Sequence, residues 1–489
     1  MEFILRDTLA GLHFLLKHMV FINFILSIVI VFFQRREPKS VWAWLLILYS
    51  VPILGFIIYL FAGTDTHKRK MFRLKEIEDR MNEAIRHQEH QIANQQMEEE
   101  NPELTGLFDL VYYNLHSSGA IFSADNDVRV FTDGNEKFDT LIEDMKQAKH
   151  FIHIEYYIIK NDVLFNRIKD VLLEKVKEGV EVRILYDGMG GRTVSKRYWN
   201  MLRSKGIQIV EFFPALLGRL HLRINYRNHR KVVVIDNEIA YVGGFNIGKE
   251  YIGLDKKFGY WRDTHLRIAG SEVSALHVRF ILDWNYAARE NLFQREAFYL
   301  EPHNFTGHIK MQIISSGPDS ALQNIRNNYL RLINKARKSI YIQTPYFIPD
   351  ESIFNALIIA IHSGVEVNIM IPCKPDHPFV YWATYSYVGD MVMAGAKCYT
   401  YHNGFLHAKG LIMDGKVYSY GTANMDIRSF QLNFEVNAVV YDEEAAKKME
   451  LIFKEDLKYC KQITKDRYSS RKLLVRIREQ FCRLLSPLL

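Results

Sequence analysis

Apolar and polar positions along this chain follow an order that is written twice. Phe151 to Ile158 and Ser339 to Phe347 are apolar runs of strand length, each followed by a long amphipathic stretch of helical period. Then come Glu178-Gly179-Val180-Glu181-Val182-Arg183-Ile184-Leu185 and Ser363-Gly364-Val365-Glu366-Val367-Asn368-Ile369-Met370, which both read as a helix end, a Gly turn and a buried strand. After a connection, each copy closes with a strand, a turn and another strand. The repeat predicts two homologous α/β lobes.

Outside the lobes the pattern changes. Val41 to Ala62 is 22 residues without a formal charge, long enough to cross a bilayer, with a buried core helix as the alternative. Met19 to Phe33 is apolar over 15 residues, so it spans by recruiting Leu12 to His18 or else lies at the interface. A second hydrophobic stretch follows it and a small-residue cleavage site does not, which argues against a signal peptide. Together the two segments predict an N-terminal transmembrane helical hairpin. Leu74 to Glu103 turns to charge and Gln and reads as a solvated helical linker. Arg471 to Leu485 places Leu474, Ile477, Phe481, Leu484 and Leu485 on one face, with Arg471, Arg476, Arg478 and Arg483 largely elsewhere. Such a basic amphipathic helix suits a lipid interface or the protein's own surface. The expected organisation is a membrane anchor over 1–66, a linker over 67–104, lobes over 105–300 and 301–462, and a basic tail over 463–489.

Charge narrows the class. Of a net +7, Lys68, Arg69, Lys70, Arg73 and Lys75 supply +5 and the tail from Lys465 another +5, leaving −3 for the rest. A nuclease wants a basic body; here the positive charge sits where a membrane surface would be met, so no nucleic-acid partner is expected. The heavier basic cluster follows the second apolar segment, which favours a cytoplasmic body. Cys373, Cys398, Cys460 and Cys482 have neither metal-ligand spacing nor disulfide-like density, which suits a reducing compartment and indicates no metal.

The chemistry lies in the repeated strands. His229-Arg230-Lys231, Asp236 and Gly243-Gly244-Phe245-Asn246 match His407-Ala408-Lys409, Asp414 and Gly421-Thr422-Ala423-Asn424, in register, with a His-to-Asn step of 17 in both. A histidine and a lysine two apart on a strand point to one face and can converge on one phosphate. Phosphodiester transfer without a metal or cofactor needs a nucleophile, an acid for the departing alcohol, and cations around the phosphate oxygens. His229 and His407 supply the first two, one imidazole attacking phosphorus while the other protonates the leaving oxygen. Lys231 and Lys409, with Asn246 and Asn424, would hold the oxygens, while Gly244 and Thr422 lie in turns of close approach. Asp236 and Asp414 complete the candidate catalytic set, although Asp236-Asn237 and Asp414-Gly415 are also turn dipeptides, so these carboxylates have a hairpin-shaping alternative. Asp263 and Glu435 are then the candidates to orient the imidazoles.

Read as His-x-Lys-x4-Asp followed by Gly-Gly/Thr-x-Asn, these residues resemble the signature of the phospholipase D superfamily. The two N-terminal apolar segments with Glu37-Pro38-Lys39-Ser40-Val41-Trp42-Ala43-Trp44, then Asn225 to Lys231, Thr344-Pro345-Tyr346-Phe347, Asn424 to Phe430 and the terminal Leu484 to Leu489 bring the likeness nearer. Over nearly its whole length the chain looks like the bacterial cardiolipin synthases, departing from them at Thr422, where Ser is usual. The resemblance implies two phospholipase D-like lobes forming one active site at their interface. It implies that one phosphatidylglycerol yields its phosphatidyl group to His229 and releases glycerol, and that a second accepts it with His407 as acid/base. It also implies a multi-pass protein of the bacterial inner membrane, in contact with anionic lipid. A phospholipase D-type hydrolase, another phosphatidyltransferase, a membrane-tethered nuclease and an inactive scaffold remain as alternatives.

Overall fold

Two sheets of the same strand order carry the repeated pattern in the computed structural model, which describes residues 18–33, 38–59, 75–214, 226–294, 306–320 and 322–486. The first copy supplies β1 (Ser123–Phe131), β2 (Phe151–Tyr156), β3 (Glu181–Asp187), β4 (Gln208–Phe212), β5 (Lys231–Ile235), β6 (Ile239–Gly243) and β7 (His265–Ala269), ordered β1-β7-β6-β5-β2-β3-β4. The second supplies β8 (Ile309–Ser316), β9 (Ser339–Gln343), β10 (Glu366–Pro372), β11 (Lys397–Tyr401), β12 (Gly410–Met413), β13 (Val417–Gly421) and β14 (Asn433–Val440), ordered β8-β14-β13-β12-β9-β10-β11, with β15 (Cys460–Ile463) at its edge. β1 and β8, which hold matching places, pair antiparallel and join the sheets.

Local devices are repeated too. The runs FIHIEY in β2 and KVVVI in β5 are buried throughout, as expected of strands covered on both faces by helices. Asp162 caps the helix Val163–Lys177 and Asp350 caps the helix Glu351–His362, each accepting two backbone N–H bonds. The residues that stop these helices, Gly179 and Gly364, have φ of +92° and +89°, where a side chain would be strained. The linker stretch departs from expectation. Its helix Lys75–Ala93 docks through Gln88, which donates to Phe122 O at 2.8 Å and accepts from Phe122 N at 2.7 Å. The helix Phe108–Ser118, expected in the first lobe, belongs to the core of the second: Leu110 and Val111 pack with Ile325, Tyr329 and Leu332. Gln312 fixes it by donating to Val111 O and Ala120 O.

The chain divides into two compact units, 1–69 with 213–226, and 70–212 with 227–489. In the first unit the apolar stretch from Val41 does not form one helix. It breaks at Val51, between Pro38–Ser50 and Pro52–Ile58. Proline has no N–H for the carbonyl four residues back. Here Asn23 Nδ2, from the helical segment 18–28, donates to Leu48 O at 2.8 Å and to Pro52 O at 3.0 Å, replacing the missing donor. No helix among the described residues is long and apolar enough to cross a membrane. Residues 1–17, 34–37 and 60–74, on which parts of the anchor and basic-cluster expectations fall, lie outside the described residues.

Candidate active site

Strand β5 begins at Lys231 and β12 at Gly410, so both histidines fall just before a strand, in segments held by the opposite lobe. Arg227–Asn228 pairs in parallel with Asn433–Phe434, and Phe405–Leu406 with Trp261–Arg262. His229 N–H donates to Phe434 O at 3.0 Å, and His407 N–H donates to Arg262 O at 2.7 Å. Each bond sets a histidine beside the residue after its acceptor. His229 Nδ1 lies 2.9 and 3.0 Å from the two oxygens of Glu435, and His407 Nδ1 lies 2.6 Å from Asp263 Oδ2. Each histidine is therefore backed by an acid from the other lobe.

Burial governs the electrostatics. Glu435 and Asp263 are fully buried. Burial alone would raise both carboxyls, but His229 and Lys231 hold Glu435, and Lys409 and His407 hold Asp263, below the usual range. Burial lowers His229 against the pull of Glu435, and burial with the Lys409 ammonium lowers His407 to about 4. Neutral rings beside ionised acids donate from Nδ1, which leaves the Nε2 lone pair on the far side of each ring. Lys231 and Lys409, each almost fully buried, are brought by burial to about 7 and about 8. An anion between them would favour the charged form of both. Lys231 Nζ donates to His229 O at 2.6 Å; Lys409 Nζ lies against His407 O and 2.7 Å from His407 Nδ1.

Not every expected site residue joins this cluster. Asp236 and Asp414 are at the far end of their strands, on the order of 15 Å along the chain from the lysines. Asp236 accepts N–H bonds from Lys149, His150 and Phe151, and Asp414 from Arg337, Lys338 and Ser339, at 2.6–2.9 Å. Both have φ of +53° and turn the hairpin. The expectation that they are catalytic is corrected: their lone pairs tie down the start of β2 and β9. Asn246 is likewise used inside the fold, accepting from Ile158 N at 3.0 Å and donating to Tyr251 OH at 3.1 Å. Asn424 differs, since its buried Oδ1 has no partner among the described residues. Gly244 leaves room for the acid, because a Cβ there would come within 1.9 Å of Asp263 Oδ1. Thr422 in the matching turn bonds Val436 through its hydroxyl. Among the described residues no group of three His, Cys, Asp or Glu could hold a metal ion.

The family model described as "Cardiolipin synthase, PLD-like domain" matches residues 141–263 and 329–457, one match per lobe and each spanning or abutting these segments. The major cardiolipin synthase ClsA of Bacillus subtilis (strain 168) is 47% identical over 97% of this chain and 99% of its own length. The chain belongs to the cardiolipin synthase family. A cardiolipin synthase of Oceanobacillus iheyensis is 48% identical over 99% of this chain and 100% of its own. A "Phospholipase_D-nuclease N-terminal" model matches residues 21–63. Among solved structures, the phosphatidylserine synthase of Haemophilus influenzae Rd KW20 aligns with a TM-score of 0.60 and 14% identity, over 78% of this chain and 100% of that one, a likeness of fold.

Within this cardiolipin synthase fold several residues around the histidines carry no motif. Tyr157 stands edge-on to His229 with ring centres 5.0 Å apart, and Trp261 flanks His407 at 5.1 Å. Arg230 is buried, bonded to Asp283, Glu435 O and Ser316 O, and so fixes the backbone behind the His229 acid. Arg262 does the same for the other half, donating to Asp263 O and pairing with Asp456 at 2.7 Å. Arg230 and Arg262 are adjacent to the histidine and the acid in sequence, and that adjacency was their one available signal.

Proposed function

We propose that the chain joins two phosphatidylglycerol molecules into cardiolipin and glycerol through a phosphohistidine. Family membership supports the lipid class. The observation that carries the chemistry is the crossed pairing of His229 with Glu435 and of His407 with Asp263, which gives one centre two imidazoles with free Nε2 faces. In this scheme His229 Nε2 attacks phosphorus as the glycerol oxygen departs with a proton from His407. The second phosphatidylglycerol hydroxyl then returns a proton to His407 and attacks the same phosphorus, which releases His229. Lys231 and Lys409 hold the equatorial oxygens, and the substrate's negative charge favours their charged form. Glu435 and Asp263 keep each Nδ1 protonated and each ring in place. One phosphodiester is exchanged for another, so no nucleotide enters. The lysines are the cations of this scheme, so chelator should leave the rate unchanged.

We assign residues 1–66 to a hairpin in the bacterial cell membrane, with the catalytic body on the cytoplasmic side. The uncharged apolar stretch and the N-terminal family match support this. The test of function is to incubate the purified chain in detergent with labelled phosphatidylglycerol and resolve the products. Cardiolipin with equimolar glycerol is expected; phosphatidic acid as the sole product would reassign the chain as a hydrolase. A trapped adduct, acid-labile and alkali-stable, is expected on His229, and its appearance on His407 would reverse the two roles.

A further inference from the structure

The helix Leu473–Leu484 has two faces of opposite fate. One is seated on the body. Cys482 is 3% exposed and clusters with Ile348 and Ala383, and Glu479 is buried and takes Arg471 at 2.9 Å. Arg483 pairs with Asp390 of the helix Pro378–Ala394 and lies 4.3 Å over Tyr387. These contacts fix the helix's rotation about its own axis. The opposite face is apolar and uncovered: Leu473 and Leu474 are 69% exposed, Ile477 55%, Phe481 56% and Leu484 78%. At 3.6 residues per turn these five fall within an arc of about 100°. Arg476 and Arg478, both exposed, flank the arc on either side. Scattered exposed leucines need no explanation, whereas a contiguous stripe rimmed by cations does.

Charge selects the occupant. From Lys465 onward the acids are Asp466 and Glu479, and Glu479 is buried and paired, so the outward face presents cations without an anion among them. The helix is also placed to matter for the centre. The helix it sits on, Pro378–Ala394, starts two residues after Asp376, whose charge acts on His407 and Lys409 and which accepts from Tyr346 OH. Phe379, at that same end, is 55% exposed.

We propose that Leu473–Leu484 is a lipid-docking helix, resting on the proposed phosphatidylglycerol chemistry. Leu473, Leu474, Ile477, Phe481 and Leu484 lie below the headgroups of an anionic bilayer, with Arg476 and Arg478 at phosphate level. The salt bridges behind it hold the body in one orientation, with the Asp376 end of Pro378–Ala394 toward the surface from which the lipid enters.

The test uses the full chain with a photoreactive benzoylphenylalanine at Phe481, in nanodiscs of equal phosphatidylglycerol and phosphatidylcholine. A lipid adduct at position 481 is expected, and it should fall on the order of tenfold in the Arg476→Glu, Arg478→Glu variant, which loses two favourable surface charges and gains two repulsive ones. An adduct to a second copy of the chain, no adduct, or one unaffected by charge reversal would overturn the proposal. This readout needs no turnover, so it stands apart from whether cardiolipin is made. A second arm measures synthesis by Leu474→Glu, Ile477→Glu, Phe481→Glu, exposed positions whose change spares the core. The apparent KM for phosphatidylglycerol in vesicles should rise at least about tenfold with kcat retained; an equal fall in kcat with KM unchanged counts against docking.

Discussion

The His229 and His407 halves of the centre share strand order and crossed acids but differ around the imidazole. Lys231 donates to the His229 carbonyl, while Lys409 also crowds His407 Nδ1, on the nitrogen that Asp263 engages. Gly244 makes room for one acid, whereas Thr422 bonds backbone beside the other. Asn246 is committed to the fold, and Asn424 keeps an oxygen unpaired among the described residues. The duplication thus kept what fixes each ring and let the surrounding charge diverge. Burial and the Lys409 ammonium hold His407 to about 4.

Removing either histidine tests the parity of the halves. His229→Ala and His407→Ala should each cost several orders of magnitude in transfer, about 10³-fold or more. Substantial turnover in one of them would show that the halves are unequal in kind. Breaking the crossing comes next: Glu435→Gln and Asp263→Asn should lose on the order of 10²- to 10⁴-fold, by misorienting the ring of the opposite lobe. Asp263→Asn should add little to His407→Ala, since the two act as one unit; additive losses would mean that Asp263 acts elsewhere.

The turn positions separate further. Gly244→Ala pushes a Cβ against Asp263 and should lower kcat toward the Asp263→Asn level, whereas Thr422→Ser keeps the hydroxyl and should change it by less than about twofold. Matching effects in kinetic assays would erase that contrast. Asp236→Asn and Asp414→Asn should lower stability by about 1–3 kcal/mol in urea melts while folded protein retains its kcat. A rate loss at unchanged stability would return these aspartates to the chemistry.

The smallest effect concerns pH. His407 titrates at about 4 folded and at about 6.5 unfolded. The folded state binds fewer protons between those values, so the stability present above pH ~6.5 is lost as pH falls toward ~4. Lys409→Met should raise His407 and shrink that loss by about 1 kcal/mol. Lys231→Met should do less, because burial and Glu435 outrank Lys231 at His229. Equal changes in thermal melts of the two variants would dissolve the asymmetry.

Duplication made His229, Lys231, His407 and Lys409 legible, because two in-register copies are visible without knowing any contact. Asp263 and Glu435 could be picked out as acids, but not their crossing, since 144 and 206 residues separate the partners and nothing local says which lobe each serves. Asp236 and Asp414 show the limit of spacing: a fixed interval from the lysine serves a hairpin as readily as a site. Linear order misplaced Phe108–Ser118, whose apolar face does not reveal which sheet it will cover. Pro52 was in plain view, yet hydropathy does not register a missing N–H.

That missing N–H has a consequence for biogenesis. Because Asn23 supplies the donor that Pro52 lacks, the two N-terminal segments satisfy each other and form a single package for whatever apolar environment receives them. Deleting 1–33 alone would strand the Leu48 carbonyl and should impair accumulation of the protein more than deleting 1–66 entirely. An Asn23→Leu chain, unchanged in length, should show the same defect in pulse-chase, as slow maturation and early turnover.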